Sequence, residues 1–380
     1  MPRLCASRLP ALLLTLGCVI ARRGALASRH GVTDRGRLTG QSAHDAAGLQ
    51  ATIGSSRHGD AIGKAVPTFS SLELATMDEA LTLCEGRHQS NCPDDGSFSF
   101  EGRLANQPTE RQMAICRKLW IRLLAAGPAQ EWPPPKTVPA DKMQAFTMNG
   151  KARIESLYFE QRYSGKQALV NAWDKKDLGR RIATPDPKSA TAGIDSYTPD
   201  TSVYVDRVLT NHSSSIRDKV GLVWGSERPW LEVLLARHRA RLTLTVEYGD
   251  VDSTHPTIAA TTPQQFGAYM LQNDRQFDFA FTYSSLEHSG LGRYGDVLNP
   301  VGDLEAAAQT WCALKPGGIL FLGVPSVDAS SSSDVLVWNA HRFYGPHRLA
   351  KMFAGFEHVH SYRDAPNPGE SIVHVLRKLE

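Results

Sequence analysis

The second half of the chain predicts an α/β fold, a mainly parallel sheet with helices on both faces. Two observations carry this. From residue 219 onward, short apolar runs rich in β-branched and aromatic residues alternate with helical stretches, the pattern of strands joined by crossover helices. After the last helix two more strand-like runs follow with a short connection between them, which fits an antiparallel edge.

Strands are expected at 220–224, 242–247, 257–260, 277–283, 318–324, 356–361 and 372–377. Pro229 suits the first turn of a helix over 229–238, and further helices are expected over 303–314 and 346–353. Upstream, Met113, Cys116, Trp120, Leu123 and Leu124 recur at helical spacing. They predict a helix capped by Thr109 and running to about residue 126, with these five side chains facing a core. Gly127-Pro128 ends it, and Pro133-Pro134-Pro135 forms a stiff break. Residues 72–84 and 152–173 also read as helical, the second bringing Tyr158, Phe159, Tyr163 and Trp173 to packing positions. The chain thus divides into a targeting segment (1–27), a flexible linker (28–68), a mainly helical N-terminal region (69–200) and the α/β domain (201–380).

Composition narrows the function. A chain of 380 residues with 41% apolar content and a formal charge of +3 is expected to be globular and close to neutral. No Lys/Arg cluster interleaves with aromatics, so a nucleic-acid surface is not expected. Arg3 and Arg8 precede an apolar run over 9–21, and Ala25-Leu26-Ala27 offers a small-x-small cleavage site. This predicts a secretory signal. Arg22 and Arg23 keep two alternatives open, an organelle transit peptide and an uncleaved Golgi-type anchor, although the run is short of a span of roughly 20 residues. In an oxidising lumen Cys84 would pair with Cys92 or Cys116; otherwise Cys84, Cys92, Cys116 and Cys312 are free thiols. No spacing of Cys and His suggests a zinc site, and no metal site is expected.

Ligands of open α/β sheets bind outside the carboxyl ends of the strands, and this rule sorts the polar residues. Gly225, Ser226, Glu227 and Arg228 follow the first strand, and Gly225 admits close backbone approach. Glu247 closes the second strand, where a carboxylate can accept from ribose hydroxyls. Tyr283, Ser284, Ser285, Leu286, Glu287 and His288 follow the fourth.

Phe277-Asp278-Phe279 through Leu286-Glu287-His288, followed by Leu314-Lys315-Pro316-Gly317-Gly318 and Val324-Pro325, resembles the class I S-adenosylmethionine-dependent methyltransferases. The resemblance covers roughly residues 200–380 and implies a Rossmann-like seven-stranded sheet and the cofactor S-adenosylmethionine. A narrower resemblance rests on three polar stretches: 225–230, 287–296 and 339–346. They are similar to an uncharacterised methyltransferase-like family first catalogued from nematode proteins, domain of unknown function 268. The departure from the broad pattern lies after strand one, where Gly225 stands without the usual acidic residue and further glycines.

On this resemblance the cofactor is held by Gly225, Ser226, Glu227, Glu247, Tyr283, Ser284 and Glu287. Methyl transfer to a hydroxyl is helped by a general base. His288 is the first candidate, because it follows strand four and titrates near neutrality, with an ordering role for Glu287-His288 as the alternative. His341 is the second candidate, placed beside Arg342 and Tyr344 on a lid. Asp296 is placed to contact the acceptor or to form a turn. Asp303 reads as a helix N-cap rather than a Mg²⁺ ligand. The expected function is O-methylation of a sugar, glycan or small polar metabolite, in the secretory pathway or, with a transit peptide, in a mitochondrion or other organelle. A non-catalytic binding module on the same fold is the alternative. A nucleotide-dependent oxidoreductase or epimerase is disfavoured because no G-x-G-x-x-G follows strand one.

Overall fold

The computed structural model describes residues 110–126, 133–159, 171–183, 191, 194, 196–249, 251–273, 276–328, 330–365 and 371–379. The targeting segment, the linker, the helix at 72–84, the cap Thr109, and Cys84 and Cys92 lie outside them.

In chain order the elements are α1 (Glu110–Ala125), α2 (Met143–Phe146), β1 (Ala152–Ser156), β2 (Asn171–Trp173), α3 (Lys175–Ala183), α4 (Pro199–Asn211), β3 (Val220–Trp224), α5 (Trp230–Arg237), β4 (Leu242–Val246), β5 (Val251–Ser253), β6 (Ile258–Thr261), α6 (Pro263–Gln272), β7 (Phe277–Tyr283), α7 (Gly302–Ala313), β8 (Leu314–Pro325), β9 (Asp334–Trp338), β10 (His341–Phe343), α8 (Pro346–Met352), β11 (Phe356–Tyr362) and β12 (Ser371–Lys378). Seven strands form one sheet in the order β11-β12-β8-β7-β3-β4-β6. The pairs β3–β4, β3–β7, β4–β6 and β7–β8 are parallel, and β12 runs antiparallel to both of its neighbours. This is the seven-stranded, Rossmann-like sheet with the antiparallel edge that the sequence predicts.

Alternation along the strands divides the core into two faces. Leu222, Leu244, Ala280 and Leu322 bury one face with α1, α6 and α7. Val223, Phe279, Phe281 and Phe321 bury the other with α4 and α5. Sequence reasoning missed α4 and α6, although both carry local start signals. Thr198 caps α4 with Pro199 behind it, and Thr262 and Gln265 form a complete capping box on α6.

The upstream helix forms, but its orientation differs from expectation. Trp120 and Leu123 are buried, whereas Met113 is 53% exposed. Met113 faces away from the core, Ile115 and Cys116 pack against it, and the deepest contact is made by the second half of α1. There Gly267 of α6 lets the two helices cross closely, since a Cβ on it would stand 2.8 Å from the Leu124 nitrogen. Cys116 of α1 is disulfide-bonded to Cys312 of α7 with Cα atoms 5.6 Å apart. The pairing of Cys116 with Cys84 is thereby corrected: the helix docks on α7, which places the two sulfurs together across 196 residues of chain.

The expected helix over 152–173 is also corrected. Residues 152–156 are strand β1, paired in parallel with β9, and 171–173 are β2, paired with β5. Long-range pairing overrides local helical spacing. With β10 antiparallel to β9, these strands make a small three-stranded sheet, β1-β9-β10, separate from the main one. It joins the main sheet through the bridge Ser326–Tyr344 just past β8, so it caps the carboxyl ends of the central strands. The Pro-rich segment is tied to this cap: the Pro135 carbonyl accepts from Trp338 Nε1 at 2.9 Å, and the Pro134 carbonyl from the Tyr158 hydroxyl.

Candidate active site

Three turns meet at the carboxyl edge of β3, β4 and β7. Gly225 follows β3 with φ +68, and a Cβ on it would stand 2.0 Å from Ser285 Oγ in the turn after β7. A side chain there meets both a backbone barrier and a collision, which explains the single glycine. Ser226 donates its backbone N–H to Glu247 Oε2 at 2.7 Å, joining the turn after β3 to the turn after β4. The Glu247 Oε1 accepts from the amides of Tyr248 at 2.6 Å and Gly249 at 3.3 Å. Burial raises the Glu247 carboxyl above its usual value, against the pull of these three amides. Tyr248 is exposed beside it, and Glu227 and Arg228 are exposed in the first turn.

The turn after β7 is the most tightly built. Tyr283 is buried against Trp230 at the start of α5, and the exposed Tyr197 ring lies over both. Ser284 adopts φ +50, a strained choice for a residue with a Cβ and one that clusters at functional sites. It donates its amide to the Gly323 carbonyl at 3.0 Å and its hydroxyl to Glu287 Oε1 at 2.9 Å. Glu287 is buried, and its Oε2 has no hydrogen-bond partner among the described residues. Burial pushes its carboxyl up to about 7, with its own amide, Ser284 and the Arg293 charge opposing.

His288 Nδ1 lies 2.7 Å from the Ala340 carbonyl. A carbonyl only accepts, so Nδ1 carries the proton and the Nε2 lone pair faces Glu287 Oε1 at 3.7 Å. Burial, reinforced by the Arg293 charge, takes His288 down to about 3. His341 of β10 has its ring 6.1 Å from that of His288 and is lowered to about 4, again by burial first. Arg293 joins the cap to this turn, with its guanidinium 4.4 Å over the Phe159 ring and a hydrogen bond of 3.2 Å to the Ala340 carbonyl. Asp296 accepts from the amides of Gly290 at 2.7 Å and Tyr294 at 3.3 Å, so its carboxylate organises the 290–296 loop.

The structure therefore brings Gly225, Ser226, Glu247, Ser284, Glu287 and His288 to one edge, with His341 beside His288 on the cap. Glu227 is at the solvent side of the first turn.

One buried residue was missed by sequence reasoning, and a buried cluster was named there only in part and in other roles. Glu232, in the first turn of α5, accepts from the Thr245 hydroxyl at 2.7 Å and lies 2.9 Å from Ser226 Oγ. The cluster is Asp303, Arg342, Tyr344 and Arg348. Asp303 is not the N-cap: α7 begins at Gly302 after Val301, and the Asp303 carboxylate turns inward. It accepts from Arg348 Nε at 2.6 Å, from Arg348 Nη2 and from the Tyr344 hydroxyl at 2.9 Å, with Arg342 Nη1 at 3.8 Å. Burial alone would raise its carboxyl, but the Arg342 and Arg348 guanidinium charges hold it below the usual range. Arg342 Nη1 also donates to the carbonyls of Glu287 at 3.2 Å and Ser289 at 2.7 Å. The 339–346 stretch is thus riveted to the turn that carries Glu287. Among the described residues no cluster of three or more His, Cys, Asp or Glu could hold a metal ion, and no helix is long and apolar enough to cross a membrane.

Residues 218–377 match the family described as "Caenorhabditis protein of unknown function, DUF268". This is the narrower family suggested by the three polar stretches, and the match runs from the entry to β3 almost to the end of β12. No curated protein matches the chain. Solved structures similar to it include the N-methyltransferase NodS from Bradyrhizobium japonicum WM9, at 15% identity and TM-score 0.33 over 48% of this chain and 99% of that one. A putative S-adenosylmethionine dependent methyltransferase from Listeria monocytogenes shows 10% identity and TM-score 0.32 over 47% and 99%. Magnesium protoporphyrin IX methyltransferase from Synechocystis PCC 6803, with bound SAH, shows 12% identity and TM-score 0.30 over 53% and 94%.

Proposed function

We propose that this chain is an S-adenosylmethionine-dependent methyltransferase that methylates a hydroxyl of a sugar, glycan or small polar metabolite. The observation that carries the reading is the buried Glu287 carboxylate with one oxygen unpartnered, at the edge where the turns after β3, β4 and β7 meet.

The donors and acceptors at this edge fit the cofactor. Backbone amides at the start of α5 can receive its carboxylate, and the exposed Tyr248 ring can cover its adenine. A carboxylate offers about four lone-pair sites, and the amides of Ser226, Tyr248 and Gly249 occupy three at Glu247. One ribose hydroxyl can therefore be accepted without rearrangement. When bound, the cofactor supplies a methyl group on a positively charged sulfur. The protein has to align the acceptor, exclude water and take up a proton.

For that proton the carboxylate suits neutral pH better than the imidazole. Glu287, at about 7, is poised between its two forms, whereas His288, at about 3, stays neutral. We therefore assign the proton to Glu287 Oε2 and a hydrogen-bonding role to His288 Nε2. His288 Nε2 stands 3.7 Å from Glu287 Oε1, which already accepts from Ser284, so the unpartnered Oε2 is the oxygen left to take the proton of an acceptor hydroxyl. His341 and the cap close that side, and Asp296 holds the loop beneath. The partner is then a small molecule or glycan. The Cys116–Cys312 disulfide supports a secretory location, to which the N-terminal segment would direct the chain.

A non-catalytic module is favoured by one observation only, the occupation of most of the Glu247 carboxylate by the amides of Ser226, Tyr248 and Gly249. Transfer of tritium from labelled S-adenosylmethionine to fractionated glycans and metabolites tests the activity. Glu287→Gln is expected to lower turnover by about 10²- to 10⁴-fold while S-adenosylhomocysteine still binds. Full turnover in that variant would remove Glu287 as the base. A folded protein that binds neither cofactor form would remove the methyltransferase reading.

A further inference from the structure

Glu232 lies directly behind the proposed cofactor turn, yet the chemistry above does not use it. It is fully buried, and the neighbouring charge acting on it is another carboxylate, Glu247. The hydrogen-bond geometry around Ser226 is informative. Ser226 Oγ lies 2.8 Å from the Arg228 carbonyl and 2.9 Å from Glu232 Oε2. A serine hydroxyl has one proton to donate, and a carbonyl has none. With Glu232 ionised, Ser226 has to divide its one proton between the two acceptors; both contacts are full two-centre hydrogen bonds when Glu232 supplies the second proton.

We infer that Glu232 is a positioning residue that carries a proton on Oε2 and, through Ser226, locks the 225–228 turn in its cofactor-receiving shape. The cofactor half of this inference rests on the methyltransferase reading; the proton half does not. With Oε2 protonated, Glu232 donates to Ser226 Oγ, Ser226 donates to the Arg228 carbonyl, and Thr245 donates to Glu232 Oε1. The Ser226 amide remains directed at Glu247. Ionisation would leave Ser226 with one proton for two acceptors. It would also place a buried negative charge in the first turn of α5, behind the amides offered to the cofactor carboxylate.

The electrostatic setting agrees. Burial raises the Glu232 carboxyl to about 7, opposed by the Thr245 hydrogen bond, by its own backbone amide and by the bond Ser226 would donate to the ionised form, with Glu247 adding to the rise. The charged residues of the turn, Glu227 and Arg228, are exposed. On the side of α3, Arg181 lies against Arg237, and on the side of α4, Asp206 pairs with His238, both at the far end of α5. Cofactor affinity is therefore expected to rise as a compartment acidifies.

The test is calorimetric binding of S-adenosylhomocysteine from pH 6 to pH 8 by the full chain and by Glu232→Gln, whose amide keeps a neutral donor at this place. With a midpoint near 7 and binding to the protonated form alone, the wild type is expected to bind about tenfold more weakly at pH 8 than at pH 6. Glu232→Gln is expected to change less than about twofold over the same range, the ligand's own titration being common to both. Thr245→Val, which removes a bond that favours the ionised form, should move the wild-type midpoint to higher pH. A second series follows unfolding by urea at the same pH values without ligand, where the wild type should lose stability toward pH 8 and Glu232→Gln should lose less. Identical pH dependence of wild type and Glu232→Gln in both series would overturn the inference. If no ligand binds at any pH, the methyltransferase reading falls, and the unfolding series still decides whether Glu232 holds the proton.

Discussion

Replacing Cys116 and Cys312 together with alanine removes the covalent link between α1 and α7 and should lower stability substantially. The two cysteines are 196 residues apart in the chain. In the chain-entropy description, a cross-link closing a loop of that length removes about 18 cal/mol/K from the unfolded ensemble, or about 5 kcal/mol at 25 °C. This is the upper end of what disulfides contribute. For a folded unit of this size, each kcal/mol corresponds to roughly 2–4 °C in melting temperature, so a drop of about 10 °C or more is expected. The remaining hold on α1 comes from Trp120 and Leu123 in the core, the close crossing at Gly267 and the Arg122–Glu305 ion pair at 2.9 Å. The folded state should therefore persist in the variant. The assay is thermal unfolding by circular dichroism of wild type, of the double variant and of wild type under reductant, with thiols counted after denaturation. Equal melting temperatures in all three, or two extra free thiols in the oxidised wild type, would refute the docking of α1 on α7 as described.

Asp303→Asn leaves Arg342 and Arg348 buried without their anion and should cost about 3–5 kcal/mol in urea unfolding; a change under 1 kcal/mol would contradict the buried cluster. Gly225→Ala combines a positive φ with a collision against Ser285 Oγ, so loss of S-adenosylhomocysteine binding in calorimetry is expected, together with a loss of about 1–3 kcal/mol of stability. Glu232 and Glu287 are both raised to about 7 from 4.5. Their stabilising contributions are complete below the unfolded value and are lost as pH rises through about 7. Urea unfolding should then show a fall of a few kcal/mol between pH 5 and pH 8, and a flat profile would argue against both shifts.

The seven main strands were legible because each is a short apolar run set between turn residues, and their mainly parallel pairing follows from alternation with helices. The common edge of Gly225, Glu247 and the 283–288 stretch was legible for the same reason: once the strand ends are known, they must lie on one side. The cap was not. β1 and β9 are short and pair across about 180 residues, and nothing local in 152–156 announces a partner in 334–338. Charge roles were hidden similarly. Asp303 at a helix start looks like a cap until Arg348 and Arg342 are known to lie inside the fold. Glu232 looks like an ordinary first-turn acid until Ser226 and Thr245 close over it. The reversal proposed for Glu287 and His288 has the same origin, since adjacent residues in sequence give no hint that burial raises one group and lowers the other.

The most direct measurement is calorimetric titration of the folded chain with S-adenosylhomocysteine at pH 6, beside Glu247→Ala. One site per chain is expected in the wild type. Loss of a hydrogen bond to a charged group, about 1.5–3 kcal/mol, should weaken binding roughly 10- to 150-fold in Glu247→Ala. A folded wild type that takes up no ligand, or a Glu247→Ala variant that binds as the wild type does, would contradict the placement of the cofactor at the edge of β3, β4 and β7.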